Sequence, residues 1–235
     1  MIDFHTHILP GIDDGSRDVR TSLEMISEEI NQRVEGIVLT PHFYANEDDI
    51  PSFLKRRDKA WQELTKKMSE QGIEIPLRKG GEIYYFQGIG DANQLPELAI
   101  EGTDLILLEM PFEQWTEEVY EDVKKIIEKR KMKVILAHVE RFYQFQKSKK
   151  VWDKVFELPV YAQVNAGNID KMKKRHFLKK FLKKDVPVVL GSDCHNMSSR
   201  VPNLKQGFEA IGRIFGESML TDIRETEERL FEYHA

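Results

Sequence analysis

The residues best suited to chemistry in this chain are histidines and carboxylates, and their densest group opens it. In Ile2-Asp3-Phe4-His5-Thr6-His7, strand alternation sends His5 and His7 to one face and Ile2, Phe4 and Thr6 to the other. Two neutral imidazoles side by side offer lone pairs to a divalent cation, and the turn Pro10-Gly11-Ile12-Asp13-Asp14-Gly15 adds hard oxygens just downstream. A His-x-His pair alone is weak evidence. Its weight depends on what the remaining chain brings to the same place.

Other ligand-type residues stand at or just after short apolar runs: His42, Glu82, Glu109, His138, Asn165, Asn168, Asp193 and His195. Strands are expected at 37–40, 75–77 leading to Gly80-Gly81-Glu82-Ile83, 105–108, 134–137, 160–164 and 186–190. Between them runs helical patterning. Thr21-Ser22-Leu23-Glu24 has capping-box form with Leu23, Ile26, Ile30 and Val34 spaced to face inward, and Pro51 begins a helix carrying Leu54, Trp61, Leu64 and Met68 on one stripe. The segment 116–131 opens with Glu117 and Glu118 and closes with Lys129, Arg130 and Lys131, as a dipole-matched helix should. Helices are expected near 151–156 and over 172–184, and two more lie toward the C-terminus. Strand and helix alternate seven times, with strands of the continuous apolar kind that parallel sheets bury. A barrel brings the carboxyl ends of all its strands to one rim, whereas a doubly wound sheet gathers only those near its switch point. The pattern therefore predicts a single α/β domain over residues 1–235, built as a (β/α) barrel.

The 235 residues allow a sizeable core, and no linker-like stretch divides them. A net charge of -5, from 35 basic and 40 acidic residues, argues against general nucleic-acid binding, which draws its affinity from neutralised phosphates. The single cysteine excludes an internal disulfide, and with neither a signal peptide nor a long apolar span the expectation is a cytoplasmic protein without stable membrane insertion. The lysine-rich run between Lys171 and Lys184 interleaves with Met172, Phe177, Leu178, Phe181 and Leu182, the pattern of an outer helix with a solvated basic face.

Adding Asp14 gives nine candidate metal ligands: His5, His7, Asp14, His42, Glu82, Glu109, His138, Asp193 and His195. Four carboxylates crowded at one rim would raise one another's pKa values or destabilise the fold unless cations compensate them. At about three protein ligands per catalytic metal, the set accommodates two or three ions. Nitrogen and oxygen donors without thiolate suit Mn²⁺, Fe, Zn²⁺ or Mg²⁺.

These motifs carry a family resemblance. His5-Thr6-His7-Ile8-Leu9-Pro10 with Asp13-Asp14-Gly15, Thr40-Pro41-His42, Gly81-Glu82-Ile83, Glu109-Met110-Pro111-Phe112, Ala137-His138-Val139-Glu140-Arg141 and Ser192-Asp193-Cys194-His195-Asn196 resemble the polymerase and histidinol phosphatase (PHP) superfamily. More narrowly they resemble its bacterial capsule-associated protein-tyrosine phosphatases. The resemblance runs from Met1 to about Leu230, with the blocks in the family's order. It implies a distorted (β/α)₇ barrel of the TIM-like kind and a trinuclear centre on the nine positions above. It also implies Mn²⁺-dependent hydrolysis of phosphotyrosine on the tyrosine kinases of capsule or exopolysaccharide assembly. Its phosphate-binding arginines fall on Arg141 and Arg200. Val139 stands where proline is usual, Cys194 where a small residue is usual, and Gln163-Val164-Asn165-Ala166-Gly167-Asn168 varies the usual sixth-strand segment.

Four rival readings exist. Cys194-His195-Asn196-Met197-Ser198-Ser199-Arg200 fits the C-x₅-R spacing of thiol phosphatases, but the loop lacks the glycine that a phosphate cradle usually takes, and alternation turns Cys194 away from Asp193 and His195. A metal-bound module that only docks onto a partner would be free to lose ligands, and all nine are present. A PHP phosphatase for a small ester such as histidinol phosphate is the alternative within enzymes, ahead of an amidohydrolase-type one.

Overall fold

The computed structural model describes residues 1–182 and 185–234, with backbone alone described at 172–174. Lys183 and Lys184, the end of the basic run, lie outside the described residues. In chain order the elements are β1 (Ile2–Thr6), α1 (Val19–Asn31), β2 (Gly36–Leu39), β3 (His42–Phe43), α2 (Ile50–Glu70), β4 (Leu77–Lys79), β5 (Glu82–Tyr84), β6 (Leu105–Glu109), α3 (Glu117–Glu128), β7 (Lys133–Leu136), α4 (Val139–Phe142), α5 (Lys150–Val155), β8 (Tyr161–Asn165), α6 (Met172–Phe181), β9 (Val188–Gly191), α7 (Leu204–Phe215) and α8 (Glu217–Glu232).

The strands form a mixed α/β fold with parallel sheets. One sheet has the order β1-β2-β4 and the other β3-β5-β6-β7-β8-β9, and every strand pair is parallel. The sheets part where the chain cannot sustain a ladder, at Thr40-Pro41 between β2 and β3 and at Gly80-Gly81 between β4 and β5. Proline has no N–H to give a neighbouring strand. Backbone bonds nevertheless cross the gap, from Gly80 N to Leu39 O at 2.8 Å and from Glu82 N to Pro41 O at 2.9 Å. Beyond the end of β9, Asp193 N donates to His5 O at 2.8 Å and His7 N to Cys194 O at 2.9 Å. These bonds lace the last strand's exit to the first strand.

Two features of the sequence reading are corrected. Alternation along β1 is not strict, because its register on β2 shifts between Asp3 and Thr6. Phe4 joins an apolar cluster with Val38, Leu107, Ile135 and Val189. His5 meets Gln163, which pairs with Val189 in register. Phe4 and His5 thus face the same inner side at successive levels. The first helix is capped by Asp18, whose carboxylate accepts from Thr21 N at 2.8 Å, so the Thr21 capping box does not start it. That helix also ends at Asn31 and leaves Ile30 41% exposed. The second helix begins as expected, with Asp49 as N-cap and Pro51 in its first turn.

The main apolar core lies between the strands' outer faces and the helices, and includes Met25, Ile37, Phe53, Leu64, Ile106, Val123, Trp152 and Leu190. Close approach at the inner face demands a missing side chain at Gly191, where a Cβ would come within 2.6 Å of His5 Cβ and 2.7 Å of Gln163 Nε2.

Candidate metal centre

All nine histidines and carboxylates singled out in the sequence come together at the strands' carboxyl ends. They form overlapping groups in which one ligand atom per residue lies within 4.8 Å of the others: His7, Asp14, His42 and His195; His5, Glu82 and His138; His5, His7 and Asp193; and His42, Glu82 and Glu109. Asn165 and Asn168, also at a strand end, stay outside these groups. Asn165 donates to Asp193 Oδ2 at 2.7 Å, and Asn168 donates to Glu140 Oε1 at 2.7 Å.

The nitrogen lone pairs are aimed by partners behind them. His5 Nδ1 donates to Gln163 Oε1 at 3.0 Å, His7 Nδ1 to Asp13 Oδ2 at 2.7 Å, and His195 Nδ1 to the Asp193 carbonyl at 3.1 Å. Each ring therefore turns Nε2 toward the cluster, the arrangement in which a second partner fixes tautomer and orientation of a ligating histidine. His5 Nε2 and His7 Nε2 face one another at 3.1 Å. Glu82 Oε2 lies 3.1 Å from His5 Nε2, 3.3 Å from His7 Nε2 and 2.9 Å from His42 Nδ1. None of the Glu82 Oε2 contacts has hydrogen-bonding geometry, and Glu82 Oε2, His42 Nδ1 and His195 Nε2 are buried without a hydrogen-bond partner. Buried donor atoms converging without partners are costly unless something positive stands between them.

Titration behaviour agrees. Burial alone would depress His7, yet Asp13, Asp193 and Glu82 together hold it well above the ordinary imidazole range. His138 is likewise pushed up to about 9 against burial by Glu109 and Glu82. Glu82 and Asp193, although buried, are held well below the usual carboxylate range, with His5 the leading cause in both. His195 falls to about 4 through burial and the positive charge of His7 and Arg200, so it stays a neutral donor. The cluster thus binds positive charge tightly, and its nitrogen and oxygen donors fit divalent cations that would replace those protons.

Two ligand positions carry left-handed backbone, His138 at φ 27° and Asp193 at φ 54°. Both are pinned: His138 N donates to Gln163 Oε1 at 2.7 Å, and Asp193 N to His5 O. Gln163 Nε2 also donates to Asn165 Oδ1 at 2.9 Å, so one amide chain ties His5, His138 and Asp193 together. Sequence reasoning missed this relay and the role of Asp13. Their signals were present, since Gln163 and Asn165 share one strand face and Asp13 follows His7 in a tight turn.

Arg141 and Arg200 are half-exposed beside Asp193, with Arg200 Nη2 at 2.5 Å from Oδ1 and Arg141 Nη1 at 3.5 Å from Oδ2. Both line a cleft of about 700 Å³ that continues past Asn165 and Asn203. Cys194 is buried with Sγ 3.9 Å from Glu29 Oε1, and burial pushes its thiol well up. Asn196 Oδ1 accepts from the backbone N–H groups of Ser198, Ser199 and Arg200 at 3.0, 2.8 and 3.2 Å. The backbone donors that a thiol phosphatase would aim at phosphate are already taken.

Parallel α/β architecture with a rim of converging histidines and carboxylates defines a protein with candidate metal-binding clusters at its strand ends. The chain belongs to the family described as capsular polysaccharide synthesis, CpsB/CapC, whose model matches residues 1–230. It is 27% identical over 231 residues to the tyrosine-protein phosphatase CpsB of Streptococcus pneumoniae, covering 92% of this chain and 91% of that protein. It is 24% identical over 241 residues to the tyrosine-protein phosphatase YwqE of Bacillus subtilis strain 168, covering 98% and 91%. Its fold is shared with a crystal structure from work on YwqE of B. subtilis and CpsB of S. pneumoniae, described as unique metal-dependent tyrosine phosphatases, with a TM-score of 0.86 at 23% identity and coverage of 100% of this chain and 96% of that one.

Proposed function

We propose that this protein is a metal-dependent protein-tyrosine phosphatase whose nine clustered ligands hold two or three Mn²⁺ ions. The observation that carries the reading is the convergence of those nine residues on one rim, with two guanidiniums beside Asp193. When bound, the cations supply Lewis-acid stabilisation of phosphoryl oxygens and a water of lowered pKa. The chain's own part is to orient and to neutralise. Arg141 and Arg200 present planar forks that match phosphoryl oxygens two at a time. Buried walls around His5, His7 and Glu82 exclude bulk water and strengthen those interactions. Phenolate, with a pKa near 10, leaves without strong acid assistance, so no general acid is assigned.

On this reading the seven-stranded count is recovered by treating β2 with β3 and β4 with β5 as single interrupted strands. The bonds between Asp193, Cys194 and β1 support closure into a distorted (β/α)₇ barrel forming one domain. The substrate is phosphotyrosine on a bacterial tyrosine kinase tail of capsule or exopolysaccharide synthesis, met in the cytoplasm. No helix among the described residues is long and apolar enough to cross a membrane.

Chelation tests the proposal. Protein stripped of metal should lose hydrolysis of a phosphotyrosyl peptide, and Mn²⁺ should restore it better than Mg²⁺ or Zn²⁺. Full activity of verified metal-free protein sinks the mechanism, and preference for histidinol phosphate over the peptide reassigns the substrate.

A further inference from the structure

We propose that Tyr44, Tyr84 and Phe112 form an aryl-recognition wall at the mouth of the metal centre, which selects phosphotyrosine over alkyl phosphomonoesters. The inference rests on the phosphatase reading and adds which residues grip the leaving group.

Each ring follows a candidate ligand closely in the chain: Tyr44 two residues after His42, Tyr84 two after Glu82, and Phe112 three after Glu109. Strand geometry therefore lifts all three just above the cluster, on the same face or on the loop leaving it. The contacts bear this out. Tyr44 lies 5.2 Å from the His42 ring, centroid to centroid, and 5.7 Å from Tyr84. The backbone of Phe112 stands close to the Tyr84 hydroxyl. Phe112 lies 6.2 Å from the His138 ring at 24°, and the Arg141 guanidinium stands over it at 5.0 Å. The three rings make a continuous arc from His42 to Arg141.

Position sets these rings apart from the core aromatics nearby. Phe43, Phe53, Trp115 and Phe142 are buried in the core, while the wall residues are partly exposed. Phe112 also packs on Phe142 at 4.8 Å, and a half-exposed aromatic arc around a carboxylate-rich floor can stack an incoming ring. Depth adds selectivity. His5, His7, Glu82, His138 and His195 are at most 1% exposed, so a phosphoryl group must be carried well below the rim to meet them. A rigid aryl ring spans that depth while its faces contact the wall, whereas an alkyl ester fills none of it.

Phenylphosphonate and methylphosphonate share the anion and differ in the aryl group, so their affinities isolate the wall. Calorimetry on the Mn²⁺-loaded protein should show phenylphosphonate binding about tenfold or more tighter, several aromatic contacts contributing roughly two- to tenfold each. Tyr44→Leu and Tyr84→Leu should each cut that ratio by about threefold, and Tyr44→Phe should keep it, since the ring and not the hydroxyl is needed. Phe112→Leu also loosens Arg141 and should weaken both ligands. Equal affinities in the wild type, or an unchanged ratio in both leucine variants, overturns the wall. A merely structural role would lower melting temperature without moving the ratio, which also overturns it. Absence of phosphotyrosyl-peptide hydrolysis by the loaded wild type is a separate result, and it overturns the phosphatase reading itself.

Discussion

Arg200 donates from Nη2 to Asp193 Oδ1 at 2.5 Å, and the same oxygen stands 3.6 Å from His5 Nε2 and 3.5 Å from His7 Nε2. One carboxylate oxygen thus faces both the guanidinium and two of the candidate ligands. The contact allows two roles for Arg200, a hand on the phosphoryl group or a brace for Asp193.

Arg200→Ala separates them. Asp193 Oδ2 keeps its bond from Asn165, and its backbone N keeps His5 O, so the carboxylate remains placed without the guanidinium. Turnover should fall roughly a hundredfold, the scale of losing one preorganised charged donor, with Mn²⁺ stoichiometry unchanged. Arg200→Lys should recover only part, because an ammonium lacks the fork. Metal loss in parallel with activity would make Arg200 the brace. Arg141, further off at 3.5 Å and half-exposed, should behave likewise with an even smaller effect on metal content.

Gln163 carries the second prediction. Its Oε1 accepts from both His5 Nδ1 and His138 N, and its Nε2 continues the chain toward Asp193 through Asn165. Gln163→Leu keeps volume but frees the His5 tautomer and strips His138 N of its acceptor. Mn²⁺ affinity should weaken about 10- to 100-fold, the usual consequence of losing a partner behind a ligating histidine. Gln163→Glu retains an acceptor for both donors and should retain more affinity. Metal titration of the two variants decides it, and wild-type affinity in Gln163→Leu would falsify the relay.

The convergence of the nine candidate positions was legible in the sequence because most of them lie at or just after a run of apolar residues that a buried strand explains, Asp14 coming instead from the turn after β1; where the strand ends, the side chain's place follows. What stayed hidden depends on contacts between distant segments. The shift in β1 that puts Phe4 and His5 on one side arises from the pairing of β1 with β2, which no local pattern encodes. Asp18 caps the first helix four residues before Ser22, because its carboxylate reaches Thr21 N while Ser22 Oγ is bonded to Ile8 O at 2.6 Å. Asn196 filling its own loop's N–H groups was equally unreadable, since C-x₅-R spacing says nothing about which acceptor sits inside.

Glu227 gives the third prediction, on stability. It is fully buried in the last helix, far along the chain from the metal cluster, with Oε1 accepting from Leu190 N at 3.0 Å and Oε2 from Ile2 N at 3.1 Å. Burial pushes its carboxyl up from 4.5 to about 8, against those two bonds and the N-terminal amine, with Asp3 adding repulsion. The folded state therefore keeps a proton that the unfolded chain gives up above its ordinary pKa. Stability should be greatest at the acid end of that window and fall as pH rises from about 4.5 toward 8, levelling beyond it. At about 1.4 kcal/mol per pH unit the full loss is on the order of 5 kcal/mol. Glu227→Gln removes the titration but leaves one of the two backbone N–H groups without an acceptor, so it should be less stable than the wild type near pH 5 and lose that deficit as pH rises toward 8. Every other group is common to both proteins, and the difference between them isolates Glu227. Urea unfolding of the metal-loaded proteins at pH 5, 6.5 and 8 measures it, and parallel pH curves would mean that Glu227 stays ionised throughout, held by its two backbone donors.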